Sequence, residues 1–103
     1  MRRVVALEAE EAVRMWKIFR VLGNETRLKI VRVLLNGEKS VCEIASHIGR
    51  PQPTVSLQLK KLAEIGIVRC KREGKKVIYR IAERDILENV IKIFSKLCED
   101  ATA

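Results

Sequence analysis

The chain has 103 residues, room for one domain with a single core or for half of a dimer. Hydrophobic residues make up 48%, which excludes wholesale disorder. Lys and Arg total 21 against 13 Asp and Glu, a formal charge of +8, and so basic a small chain favours a polyanionic partner, most simply nucleic acid.

Residues 8 to 22 carry Ala12, Val13, Trp16, Phe19 and Leu22 at helical spacing, with glutamates early where the helix dipole favours them. That pattern predicts a first helix. Three glutamates by residue 11 also rule against a signal peptide. Asn24 is a good N-cap for "ETRLKIVRVLL", where Leu28, Val31, Leu34 and Leu35 form an apolar face, and Asn36-Gly37 ends the helix. Ser40 with Glu43 three residues on reads as a capping box. It opens a short third helix with Ile44, Ala45 and Ile48 inward, stopped by Gly49.

Residues 52 to 65 form the fourth helix. Val55, Leu59 and Leu62 lie on one narrow stripe. Pro53, Thr54, Ser56, Leu57, Lys60 and Lys61 fall mainly on the other side, with Gln52 and Gln58 at the flanks. Pro53 fits the first turn, whose N–H groups lack helical partners in any case. After Gly66 the period changes. In "IVRCKREGKKVIYRI" Glu73-Gly74 separates two β-like runs, a hairpin signal, and the tip is basic with Lys71, Arg72, Lys75 and Lys76.

Residues 83 to 99 form the last helix. Ile86, Leu87, Val90, Ile91, Ile93, Phe94, Leu97 and Cys98 span an arc of roughly 160°, wider than the ~100° stripe of a one-sided surface helix. Such a helix covers its own core and still faces a partner. No apolar run reaches the ~18 residues of a membrane helix. The chain therefore reads as a single domain over 1-103, mainly α with a small β-hairpin (α+β), in the order α-α-α-α-β-β-α.

A short helix, a tight turn and a polar-faced helix make a helix-turn-helix, whose second helix enters the major groove. Gln52, Thr54, Ser56, Leu57 and Gln58 are the base-reading candidates, because Gln, Ser and Thr donate and accept at base edges and an apolar group meets a thymine methyl. A tolerated exposed leucine explains Leu57 equally well. Arg50, Lys60 and Lys61 are placed for phosphates, which carry affinity without sequence information. The basic hairpin, with Lys71, Arg72, Lys75 and Lys76, reads as a wing along the backbone or in the minor groove. Charged turns are common, and only its position behind a polar-faced helix gives this one meaning. One Trp, one Tyr and two Phe are too few for a base-stacking surface on single strands.

The stretches "LGNETRLKIVRVLLNGEKSVCEIA", "QPTVSLQLKKLAEIGIV" and "KREGKKVIYRI" resemble the ArsR/SmtB family of winged helix-turn-helix repressors over nearly the whole chain. The resemblance implies a homodimer packed through helices 8-22 and 83-99, recognition by helix 52-65, a wing at 71-77, and repression relieved by an inducer. Two-fold symmetry then implies a roughly palindromic double-stranded DNA operator with half-sites ~34 Å apart. Family recognition helices often carry Ser and His where this chain has Pro51 and Gln58.

The family's metal sensors carry Cys-Val-Cys where this chain reads Ser40-Val41-Cys42. Positions of the family's other metal site fall on Glu83, Asp85, Lys96 and Glu99, with both histidines gone. Soft metals want two or three thiolates together, so neither a metal nor a cofactor is expected, and the inducer stays open. The odd number of cysteines reads as reduced thiols in a cytoplasmic protein. Cys42, Cys70 and Cys98 are candidate redox thiols, against the plainer reading of cysteine as a small hydrophobe. No nucleophile–base, paired-acid or phosphate-loop arrangement suggests an enzyme. The rivals are a nonspecific architectural DNA-binding protein and a winged-helix protein–protein interaction module, because fold does not fix function.

Overall fold

The computed structural model describes residues 9–102. Among them five helices and three strands run in the order α1 (Ala9–Leu22), α2 (Glu25–Leu34), β1 (Lys39–Ser40), α3 (Val41–Ile48), α4 (Gln52–Glu64), β2 (Val68–Glu73), β3 (Lys76–Ile81) and α5 (Arg84–Thr102). Glu8, the first residue of the expected helix 8-22, lies outside the described residues, as do the outermost ends of the expected domain 1-103.

The helix starts follow the capping chemistry. Asn24 Oδ1 accepts from the Arg27 backbone N–H at 3.1 Å. At α3 the box closes in both directions: the Ser40 N–H donates to Glu43 Oε1 at 2.9 Å and the Glu43 N–H to Ser40 Oγ at 3.2 Å. Each bond satisfies a donor that the first helical turn leaves without a partner. Gly49 ends α3 in the left-handed region, φ 66, and its N–H donates to Ala45 O at 3.0 Å. A side chain there would be strained, so the sharp turn into α4 needs this residue.

Strand β1 adds a third strand to the expected hairpin. It pairs with β3 through Lys39↔Tyr79 and Ser40↔Ile78, making the sheet order β1-β3-β2 with β3 central. A two-residue strand shows no periodicity, and Ser40 serves both the strand and the cap of α3. The hairpin turn itself is Gly74-Lys75 rather than Glu73-Gly74. Glu73 pairs with Lys76, and Gly74, at φ 61, occupies the first turn position where a tight hairpin requires positive φ.

The core is built from the middle of the chain. Ile30, Val31 and Leu34 of α2 meet Ile44 and Ala45 of α3, the α4 stripe of Val55, Leu59 and Leu62, and Val68 and Ile81 at the closed end of the sheet. Burying one such aliphatic side chain contributes roughly 1.5–3 kcal/mol. The face expected of α2 is rotated: Ile30 is wholly buried, whereas Leu28 is 46% exposed. Leu28 instead helps line a hollow beside α1 and α5.

Helix α1 has no buried residue. Val21 and Leu22 of α1 and Leu87 and Ile91 of α5 pack partly against the core. Apart from half-buried Val90, the remaining large apolar side chains of these two helices are open, including Trp16 at 57%, Ile86 at 63% and Ile93 at 60% exposure. Phe19 and Phe94 meet edge to face, ring centroids 5.8 Å apart, and join α1 to α5.

Candidate nucleic-acid interface

Helix α4 is pinned by Val55, Leu59 and Leu62, each with no exposed surface. Gln52, Thr54, Ser56, Leu57, Lys60 and Lys61 are all exposed, Leu57 at 52%. The polar face of the helix therefore points away from the core along its whole length. The cations of α4, Lys60 and Lys61, lie in its third turn and Glu64 is exposed one turn beyond Lys60, so the first two turns present a polar but uncharged face.

The two flanks of α4 meet different neighbours. On one side Gln52 and Ser56 share a cleft of about 420 Å³ with Lys75 and Lys76 of the wing and with Cys42 and Glu43 at the start of α3. Helix α4 and the wing tip thus line one cleft, which sequence separation does not show. On the other side Lys61 borders a hollow of about 430 Å³ with Lys17, Arg20 and Arg27. The Arg20 guanidinium lies 5.4 Å from the centre of the Trp16 ring, a cation–π distance. These three cations were not among the sequence candidates, because helix periodicity gives no sign that α1 and α2 approach α4 from this side.

Gln58 differs from its neighbours. It is half-buried, and its Oε1 accepts from Arg27 Nε at 2.6 Å, while Arg27 Nη1 donates to Val21 O at 3.0 Å. The carbonyl end of this base-reading candidate is already occupied by α2. The contact spans 31 positions in sequence, beyond the reach of any local pattern.

The wing cations also divide. Lys71 Nζ lies 3.3 Å from Glu38 and 3.7 Å from Glu73. Arg72, Lys75 and Lys76 are exposed and form no ion pair among the described residues. Strand alternation puts Arg72 on the same face as Cys70 and the buried Val68, and Lys71 on the other. Arg50 is exposed in the turn between α3 and α4. It adds to the field at Glu25, whose carboxyl is held below its ordinary range chiefly by the hydrogen bond and charge of Lys29, 3.0 Å away.

Ser40, which stands where the resembling metal sensors carry a cysteine, is buried and holds the α3 cap. Cys42, Cys70 and Cys98 are free and exposed on α3, β2 and α5. Cys70 faces Tyr79 across the strand pair. The Tyr79 phenol is pushed up from its ordinary range by burial first and by Cys70 second. Among the described residues no group of three or more His, Cys, Asp or Glu side chains gathers to hold a metal ion, and no helix is long and apolar enough to cross a membrane.

A family model described as "Bacterial regulatory protein, arsR family" matches residues 24–69. The chain is 33% identical over 87 residues to a probable mercury resistance operon repressor of Streptomyces lividans, a match covering 84% of this chain and 70% of that one. Its fold superposes on the transcriptional repressor BigR from Xylella fastidiosa with a TM-score of 0.74 and 35% identity, covering 86% and 91% of the two chains. A homodimeric winged helix-turn-helix DNA-binding domain from Mycobacterium bovis gives a TM-score of 0.76 at 28% identity, covering 90% and 91%.

Proposed function

The chain belongs to the arsR family of bacterial regulatory proteins and is a DNA-binding transcriptional regulator, and from that premise we propose that it is a homodimeric repressor reading a roughly palindromic operator. Helix α4 enters the major groove, with Gln52, Thr54, Ser56, Leu57 and Gln58 toward the base edges. Lys60, Lys61 and Arg50 sit on flanking phosphates, and the wing cations Lys71, Arg72, Lys75 and Lys76 follow the backbone or dip into the minor groove. The observation that carries this reading is the division of α4: three residues without exposed surface on one side, an exposed polar face on the other, and Lys75 and Lys76 beside its first turns. Uncharged donors and acceptors on that face favour sequence readout over architectural binding, which needs only cations and wedges.

The open apolar faces of α1 and α5 support dimerisation, and the Mycobacterium bovis relative is homodimeric. A two-fold dimer places two copies of α4 on successive major grooves, so half-sites lie ~34 Å apart. Work on DNA puts the protein in the cytoplasm. The lone histidine, His47, is exposed on α3.

Fluorescence anisotropy tests the reading, with the duplex upstream of this protein's own gene and an unrelated duplex titrated at several salt concentrations. A preference of roughly a thousandfold or more is expected for a specific regulator. Equal, steeply salt-dependent binding to that duplex and to others drawn from across the genome would favour the architectural reading instead.

A further inference from the structure

Arg27 is held at three points. Its backbone N–H donates to the cap Asn24, its Nη1 to Val21 O at 3.0 Å, and its Nε to Gln58 Oε1 at 2.6 Å. Val21 lies in the last turn of α1, where carbonyls lack helical partners, so the guanidinium joins α1, α2 and α4. A guanidinium carries donors only. The atom facing Arg27 must therefore be the Gln58 carbonyl oxygen, and the amide nitrogen must point the other way. That nitrogen has no partner among the described residues.

The consequence concerns specificity. A glutamine free to present both ends reads adenine bidentately, donating to N7 and accepting from the N6 amino group. With its carbonyl oxygen turned toward Arg27 and one of that oxygen's two lone pairs filled, Gln58 is left to meet DNA with the amide N–H groups on its opposite side. We propose that Arg27 is a positioning residue that sets sequence preference, by holding Gln58 as a donor to base-edge acceptors: a purine N7, guanine O6 or thymine O4. The inference rests on the proposed function, since it needs α4 in the major groove. It goes beyond that reading by naming which base-edge chemistry one position selects and which residue enforces it.

The full-length protein first selects its preferred duplex from a random pool. Base analogues then remove single groups from that duplex: the N7 or O6 acceptor of a purine, the O4 of thymine, or the N6 amino group of adenine. Wild type is expected to lose roughly fivefold or more in affinity when one particular acceptor is removed, the weight of a single hydrogen bond. Gln58→Met should lose sensitivity at that position alone. Arg27→Met should lower the penalty there by several fold while preferences at other positions persist. A merely structural Arg27 would weaken all duplexes by one factor and leave the profile unchanged, which overturns the inference.

So does a Gln58-dependent position that responds to loss of the adenine N6 amino group. If Arg27→Met does not fold, Gln58→Glu carries the test. It keeps an acceptor for Arg27 and removes the donors, so the same position must fall silent, and persistence of the wild-type profile overturns the inference. A pool that yields no preferred duplex overturns the reading of α4 as a sequence reader, and the inference with it.

Discussion

Leu59 sits at the centre of the stripe that holds α4, with no exposed surface. Leu59→Ala leaves a cavity beneath that helix and is expected to cost roughly 2–5 kcal/mol in denaturant unfolding; a neutral result would mean that a different face of α4 meets the core. Ser40 and Glu43 act through hydrogen bonds instead. The Glu43 carboxyl is held below its ordinary range, first by the Ser40 backbone N–H and then by its hydroxyl, with Lys39 and Lys76 adding smaller pulls. A lowered carboxyl favours the folded state above the ordinary glutamate range, and that contribution disappears as pH falls through the lowered value. Glu43→Gln keeps an acceptor for the Ser40 N–H and removes the titration. Its stability is expected to fall less steeply than wild type on the acid side, and parallel acid limbs in urea titrations would show that the box is not pH-linked.

At the level of elements, the proposed reading divides the labour between the wing and α4. Lys75 and Lys76 stand at the turn beside Gln52 and Ser56, whereas Lys71 is engaged by Glu38 and Glu73. Exposed ion pairs are worth little in stability, yet they weaken the claim of Lys71 on a phosphate. Lys75→Ala combined with Lys76→Ala is expected to weaken binding to all duplexes alike and to lower the salt slope by up to about two. Lys71→Ala should move it less. A slope unchanged by the double substitution would remove the wing tip from the interface.

On the scale of the whole molecule, the shape is extended, 56 × 35 × 20 Å, with a radius of gyration of 15.8 Å. A compact monomer of this length has about 13 Å. The difference fits two terminal helices that wrap no core of their own, with Trp16, Ile93, Phe94 and Leu97 left open. In the proposed dimer, a second copy burying these faces would supply what the monomer lacks. Sedimentation is expected to show a dimer at micromolar concentration. Ile93 is 60% exposed, so Ile93→Asp should yield a folded monomer, by circular dichroism, with much weaker operator binding. A wild-type monomer under the same conditions would end the dimer proposal.

Much of this was legible from local chemistry. Caps work within one helical turn, so Asn24, Ser40 with Glu43, and Gly49 announced the starts and the stop they make. Helical period alone picked out Val55, Leu59 and Leu62, because α4 touches the core along one line. The two-sided arc of α5 likewise showed in its residues, since a helix with more apolar surface than one core covers must face something else. Period fails where a helix meets several neighbours at once. Leu28 is apolar on α2 yet open, because the core lies nearer Ile30 and the other side of the helix faces α1 and α5. Strand β1 is too short to carry a period and exists only because β3 passes beside it. The Arg27–Gln58 bond joins residues 31 positions apart; a side-chain bond of that range forms only once α2 and α4 have packed, so the orientation of the Gln58 amide is a property of the tertiary structure.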